Sequence, residues 1–144
     1  MTISYMIAGQ EDLERFSNIA EGLFDKPIQS DLLKMFLSDE RHHMAIALSE
    51  TCIVGFVSAV DYLHPDKPRE LWINEVGVSK PWRKMGIAKA LMQRMFEHAK
   101  EIGCTEAWVL TEPDNTAANA LYGSVKSGSG TEKVSCIMYD FLCS

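Results

Sequence analysis

A chain of 144 residues, 47% hydrophobic and 24% charged, is long enough to bury a core of its own and has the balance of an ordinary globule. Its formal net charge of -6 argues against nucleic acid as a partner and suits a cationic one, such as a polyamine or an amino-sugar. Four cysteines, Cys52, Cys104, Cys136 and Cys143, lack Cys-x-x-Cys or Cys/His spacing, so reduced thiols and no metal are expected.

Ile3, Tyr5 and Ile7 alternate with Ser4 and Met6, which predicts a half-buried first strand. From Glu11, Leu13, Phe16, Ala20, Leu23 and Phe24 return at helical spacing, and Gly22 and Lys26-Pro27 end that helix. Ser30 is placed to cap a short second helix, Asp31 to Leu37, with Leu33, Phe36 and Leu37 inward. Met44 to Leu48 and Cys52 to Tyr62 read as a hairpin joined at Glu50-Thr51. His42 and His43, with no carboxylate or cysteine at ligand spacing, read as the solvated start of that hairpin. His64 to Arg69, punctuated by Pro65 and Pro68, reads as a surface connection.

The stretch from Leu71 to Ile102 organises the rest. Leu71, Trp72, Ile73, Val76 and Val78 form an apolar run that predicts a strand, and after Ser79, Lys80 and Pro81 the period becomes helical. Ile87, Leu91, Met95, Ala99 and Ile102 fall on one helix face, while Lys89, Gln93, Glu97 and Lys100 fall on the other. Gly103 ends this helix, and Ala107 to Thr111 reads as a buried strand, parallel to the first by a right-handed crossover. Pro113, Asp114 and Asn115 open a last helix from Thr116 to about Val125. A glycine-serine run over Lys126 to Gly130 follows, and Val134 to Leu142 reads as a closing strand. Without a repeat or a linker, one domain over 1–144 is expected. No apolar run reaches about 20 residues, and MTISYMIAGQED has no basic segment followed by an apolar core. The expected location is the cytoplasm.

Between the central strand and helix lies Arg83-Lys84-Met85-Gly86-Ile87-Ala88. The first amides of a helix have no internal partner and sit at the positive end of the macrodipole, so this turn can bind an anion, most naturally a phosphate. Arg83 and Lys84 add full charges suited to a pyrophosphate. The same residues also fit an ordinary strand-turn-helix with solvated basic side chains. Neither G-x-x-x-x-G-K-[ST] nor G-x-G-x-x-G is present.

The turn Arg83-x-x-Gly86-x-Ala88, preceded by Glu75-Val76-Gly77-Val78-Ser79, resembles the Arg/Gln-x-x-Gly-x-Gly/Ala signature of the GCN5-related N-acetyltransferases (GNAT). Asn115-Thr-Ala-Ala118-Asn-Ala-Leu121-Tyr122 resembles that family's Asn-x-x-Ala-x-x-Leu/Phe-Tyr segment, and within the family the chain looks most like the aminoglycoside 3-N-acetyltransferase branch. The resemblance implies an α/β fold with a mixed (α+β), mostly antiparallel sheet, a parallel strand-helix-strand core and flanking helices. It implies a transferase using acetyl-CoA as cosubstrate, no metal, and a homodimer; an aminoglycoside acceptor would make it an antibiotic-resistance enzyme. On this reading the pantetheine arm pairs with Val76, Gly77 and Val78, and the pyrophosphate lies on Arg83, Lys84, Met85, Gly86, Ile87 and Ala88. Asn115 and Ala118 complete the CoA site. Tyr122 protonates the leaving thiolate, and an amide at Val76 or Val78 holds the thioester oxygen.

Glu75 is the first choice of base for the amine, with Glu70, Glu112 and Asp114 as rivals, and Glu112 and Asp114 are assigned to the cationic acceptor. Glu75 equally fits a structural or substrate-binding carboxylate, and Tyr122 a core aromatic. The competing acceptors are a protein or peptide amine and a polyamine. A non-catalytic CoA-binding module is the reading from another class. Many family members follow the tyrosine with Gly-Phe, where this chain has Gly128-Ser129.

Overall fold

The computed structural model of the chain describes residues 2–125 and 134–143. Two compact units divide at Leu110 and Thr111. The first is built on one sheet of five strands in sequential order: β1 (Ile3–Ile7), β2 (His42–Ser49), β3 (Cys52–His64), β4 (Lys67–Val78) and β5 (Glu106–Trp108). The first three pairings are antiparallel, whereas β4 and β5 are parallel. The antiparallel neighbours β2, β3 and β4 are joined by two short turns, at Glu50-Thr51 and at Pro65-Asp66. The parallel pair needs a crossover, which helix α2 (Ile87–Glu101) supplies. Helix α1 (Ser30–Ser38) lies between β1 and β2 in sequence, and a 3-10 helix spans Gln10–Ser17.

The α2 pattern is realised except at its end, where Ile102 is the C-cap and only half-buried. Ile87, Leu91, Met95 and Ala99 are buried, and Met92 joins them, while Lys89, Gln93, Glu97 and Lys100 are exposed. Leu91, Met92 and Met95 are fully buried, as are Val57 of β3 and Leu71 and Ile73 of β4. Burying a side chain of this size contributes about 1.5–3 kcal/mol, so α2 is fixed by packing more than by helix propensity. A second apolar cluster gathers Phe16, Leu23, Leu33, Met44, Leu48 and Phe56, with Phe36 and Leu37 packed against it.

Several expectations are corrected. The helix from Glu11 ends as a 3-10 helix at Ser17, because the next residues turn to the sheet: Ile53 N donates to Asn18 O, Ala20 N donates to Ile53 O, and Ile19 bridges Ile53. Leu23 and Phe24 therefore reach the core from a loop, where Phe24 stacks on Phe56 with centroids 4.3 Å apart. Ser30 is the first helical residue rather than the cap; Gln29 holds the cap position without a side-chain bond. The surface connection at 64–69 shrinks to a turn, with His64 and Lys67 already paired. Pro68 is tolerated there because the ladder is irregular between Tyr62 and His64, beyond the reach of β5.

β5 is only three residues long and not buried: Glu106 and Trp108 are exposed, and Val109 to Thr111 lie outside it. His43 is not solvated; it is 8% exposed, facing inward while His42 faces out. Among the described residues 134–143 there is no strand, and Val134, Ile137, Met138, Tyr139, Phe141 and Leu142 are exposed. A strand exists only through its ladder, and none forms along these residues. The predicted run Lys126 to Gly130, with Gly128-Ser129, lies outside the described residues. The second unit contains helix α3 (Thr116–Val125), none of whose residues is fully buried. No helix among the described residues is long and apolar enough to cross a membrane.

Candidate functional site

The register of β3 against β4 contains the first device of the site. Ser58 stands opposite Glu75 and Ala59 opposite Ile73, which leaves Asn74 as the extra residue of a β-bulge. The bulge breaks the alternation of Leu71 and Ile73, which point inward, so that Asn74 and Glu75 are both exposed and Val76 to Val78 are half-buried. On its other side β4 pairs with β5 only over Glu70, Leu71 and Trp72. From Ile73 to Val78 the strand keeps its ladder to β3 but has none to β5. Backbone groups pointing away from β3 are thus available to an extended ligand that pairs as a strand would.

Gly77 lies within this stretch, and space explains it. A Cβ there would meet Phe56 Cε1 at 2.8 Å and Leu23 O at 3.4 Å. The loop carrying Leu23 is also tied to the end of β4, since Ser79 Oγ donates to Glu21 O at 3.2 Å and Ser79 N to Val54 O at 2.9 Å. An open cleft of about 460 Å³ runs beside this loop, lined by Phe16, Ile19, Ala20, Leu23, Phe24 and Asp25 among others. It includes none of the site residues expected from sequence.

After β4 comes a short 3-10 turn, Lys80–Trp82, and then the basic turn. Arg83 Nε donates to Val78 O at 2.9 Å, folding the guanidinium back over the strand end. Lys84 has φ 62° and Gly86 φ 80°, both in the left-handed region, and a Cβ at Gly86 would face open space. The backbone angle favours glycine at 86, and that open space admits a ligand close to the main chain. The first in-helix bond is Ala90 N to Gly86 O, 3.1 Å, so the amides of Ile87, Ala88 and Lys89 have no carbonyl four residues back within the helix. The turn fits a diphosphate: main-chain donors, a helix N-terminus, and Arg83 and Lys84 exposed beside it. Val76, Gly77 and Val78 end β4 and Arg83 to Ala88 follow across the short turn, all within the first unit, with the Ile87 side chain buried and Glu75 exposed.

In the second unit, Asn115 Oδ1 accepts from Ala118 N at 3.1 Å and so caps α3, while Asn119 Nδ2 donates to Asn115 O at 2.8 Å and Glu112 O at 3.0 Å. Asn115 thus has a structural duty that the sequence reading did not assign. Glu112 and Asp114 are exposed before the cap, and Ala118 is half-buried. Tyr122 is half-buried in α3, and burial pushes its hydroxyl pKa above the usual 10.0. Among the described residues no group of three or more His, Cys, Asp and Glu is placed to hold a metal.

Sequence reasoning missed a polar cluster near the other end of α2. His43 Nε2 and Asp61 Oδ2 are 2.6 Å apart, Arg69 donates to Asp61 Oδ1 at 2.5 Å, and His98 Nε2 lies 2.9 Å from His43 Nδ1. All four residues are satisfied when His43 donates to Asp61 and His98 donates to His43. Burial alone would raise the Asp61 pKa, but the bonds from His43 and Arg69 outweigh it and hold the carboxyl below its usual value. Burial, then the charge of His43, lowers His98. Eleven residues of α2 separate Ile87 from His98, about 16 Å at 1.5 Å per residue, so this cluster is remote from the basic turn.

Residues 10–125 match the model of the Acetyltransferase (GNAT) family. The chain is 30% identical over 87 residues to the L-2,4-diaminobutyric acid acetyltransferase of Nocardia farcinica, covering 60% of this chain and 44% of that protein. It is 32% identical over 97 residues to N-acetyltransferase 8 of Homo sapiens, covering 67% and 43%. The chain therefore spans less than half the length of these curated relatives. Among solved structures, an aminoglycoside acetyltransferase from an uncultured soil metagenomic sample, in complex with sisomicin, superposes with a TM-score of 0.83 at 21% identity over 96% of both chains. AAC(6')-Iy, bound to the bisubstrate analogue CoA-S-monomethyl-acetylneamine, superposes at 0.76 and 21% identity, over 99% of this chain and 100% of that one. At these identities the likeness is one of fold.

Proposed function

The chain belongs to the GNAT acetyltransferase family, and from that premise we propose that it is an acetyl-CoA-dependent N-acetyltransferase acting on a primary amine of a small cationic acceptor. The observation that carries this reading is the half-open β4, free on its β5 side from Ile73 onward and leading through a short turn to the left-handed Gly86. The pantetheine arm of acetyl-CoA bonds along Val76, Gly77 and Val78, and the diphosphate lies against the amides of residues 83–88. Asn115 and Ala118 are proposed to complete the CoA site.

The acceptor ammonium gives up a proton to Glu75, directly or through water, and the freed amine attacks the thioester carbonyl carbon. An amide at Val76 or Val78 receives the negative charge that develops on oxygen. As the intermediate collapses the C–S bond breaks, the new C–N bond remains, the thiolate takes a proton from Tyr122, and the extra proton left on nitrogen passes through water to the tyrosinate, while Glu75 returns its proton to solvent. A raised tyrosine pKa suits this role, because the phenol stays protonated until a thiolate is present. Glu112 and Asp114 bind the cationic acceptor.

Support for a small polycationic acceptor comes from the chain's net charge of -6 and from the similar proteins, one named for diaminobutyric acid and another bound to sisomicin. The finer proposal is an aminoglycoside acetylated at a 3-amino group, in a single catalytic domain over 1–144 that works as a homodimer in the cytoplasm. Thiol release from acetyl-CoA, measured against aminoglycosides, polyamines, diaminobutyrate and peptides, tests it. Release is expected with the small polycations. CoA binding without release for any amine would replace the reading with a CoA-binding module, and faster turnover of a peptide than of every small amine would overturn the acceptor class.

A further inference from the structure

The ladders of β3, β4 and β5 fix which side chains share a face. Val60 stands opposite Trp72 and Tyr62 opposite Glu70, while Trp72 pairs with Trp108 and Glu70 with Glu106. Paired residues project to the same side of a sheet. Tyr62, Trp72, Trp108, Glu70 and Glu106 therefore share one face, and the buried Asp61, Leu71 and Ile73 lie on the other. Glu75 shares the face of the tryptophans through its pairing with Ser58.

The aromatic group on this face is held in place. The two indoles stack with centroids 5.9 Å apart and 24° between planes. Trp108 Nε1 donates to the Tyr62 hydroxyl at 2.5 Å, and burial first, then the neighbouring Glu70, pushes the pKa of that hydroxyl up. Glu106 is close enough to act on the same hydroxyl, and Trp108 remains 38% exposed. With its N–H engaged, Trp108 presents a ring surface to solvent, and two carboxylates stand beside it. Such a surface attracts a C–H face and a positive charge together.

Its place on the strand gives it meaning. The β4–β5 ladder ends at Trp72 and Trp108, and the bulge at Asn74 and the proposed base Glu75 follow. Three residues of strand, about 10 Å at 3.3 Å each, separate Trp72 from Glu75. An acceptor whose amine is at Glu75 can therefore lay its next ring over the tryptophans.

We propose that Trp72 and Trp108, with Glu70 and Glu106, form a distal acceptor subsite, and that the acceptor is an amino-sugar, which offers a pyranose face to the indole and ammonium groups to the carboxylates. The proposal rests on the amine-acetylation reading above. A linear polyamine lacks the ring and a neutral sugar lacks the charge.

Calorimetric titration without acetyl-CoA tests it, using sisomicin, spermidine and trehalose as probes. Sisomicin is expected to bind more tightly than the other two. Trp108→Ala should weaken its binding about tenfold, the scale of one cation–aromatic contact, and Trp108→Phe should retain most of it. Glu70→Gln should weaken sisomicin but leave trehalose unchanged. In steady-state assays Trp108→Ala should raise the amine KM while the acetyl-CoA KM holds. The proposal is overturned if the wild-type protein binds no sisomicin, if trehalose binds as well, or if a folded Trp108→Ala variant binds sisomicin like wild type. Acetyl transfer with no effect at Trp108 would sink the subsite and leave the enzyme reading standing. Sisomicin binding that depends on Trp108 without transfer to any amine would uphold the subsite and sink the enzyme reading.

Discussion

At the scale of single residues, Tyr122 and Gly86 divide the proposed work between chemistry and donor binding. A phenol held protonated by burial can supply a proton only through its hydroxyl, so Tyr122→Phe keeps the half-buried ring and removes the donor. Its kcat should fall by about 10²-fold or more, within the usual range for a positioned acid, with a smaller change in acetyl-CoA KM. A kcat within twofold of wild type would leave Tyr122 a packing residue of α3. Gly86 has φ 80°, where an L-residue costs about 1–2 kcal/mol. Gly86→Ala should lower stability by about that much and Gly86→Trp should weaken CoA binding further by filling the open space; chemical denaturation and CoA titration read the two effects separately.

Gly86 was legible in the sequence because a short motif fixed it. His43 was not, since neighbouring strand residues point to opposite faces and nothing in His42-His43 says which faces in. Its partners Asp61 and His98 lie 18 and 55 residues away, a separation that periodicity does not bridge.

At the scale of elements, legibility followed the strength of the repeating pattern. α2 was predicted with its inward face correct from Ile87 to Ala99, though not at Ile102, because successive turns of spacing agree with one another and with the packing they produce. The apolar residues after Glu11 have the same spacing, yet bonds to Ile53 pull the chain into the sheet after Ser17; tertiary pairing won over local period. The motif pointed to the open edge of β4, whereas the bulge that shapes it went unseen. Only Asn74, a polar residue interrupting an apolar strand, hinted at it.

Deleting Asn74 tests how much the bulge matters. Because Asn74 is the residue without a partner, its deletion leaves Ser58 opposite Glu75 and Ala59 opposite Ile73 in a regular ladder, so Glu75 keeps its face while β4 loses the local bend and twist of the bulge. The core against α2 forms from Leu71 and Ile73 upstream of the deletion. The deletion should therefore leave a cooperative unfolding transition by circular dichroism while thiol release falls, because the straightened β4 no longer bends at the edge that the site uses. Wild-type turnover in the deleted protein would remove the bulge from the site.

For the molecule as a whole, the buried His43 and Asp61, with the half-buried Arg69 and His98, bind β2, β3, β4 and α2 together, and this makes the fold sensitive to acid. His98 has a folded pKa below its ordinary 6.5, through burial and then the charge of His43, with Arg94 and Glu101 on its own helix and Asp61 on β3 also acting on it. Below pH 6.5 the unfolded chain takes up a proton that the folded one resists. The stability tied to His98 is thus complete above 6.5 and declines as pH falls toward the lowered value. Asp61, held below 3.8, acts in the same sense at lower pH: its contribution is complete above 3.8 and is lost as pH falls through its own depressed value. The melting temperature should therefore drop in two stages on acidification. His98→Gln, whose side-chain amide can still donate to His43 Nδ1 but does not titrate, should abolish the first stage and spare the second. Asp61→Asn should lower stability at neutral pH, because the buried pairing with Arg69 loses its charge. A melting temperature flat from pH 7 to pH 5 in wild type would mean that the four-element cluster packs these strands and helix without coupling them to protons.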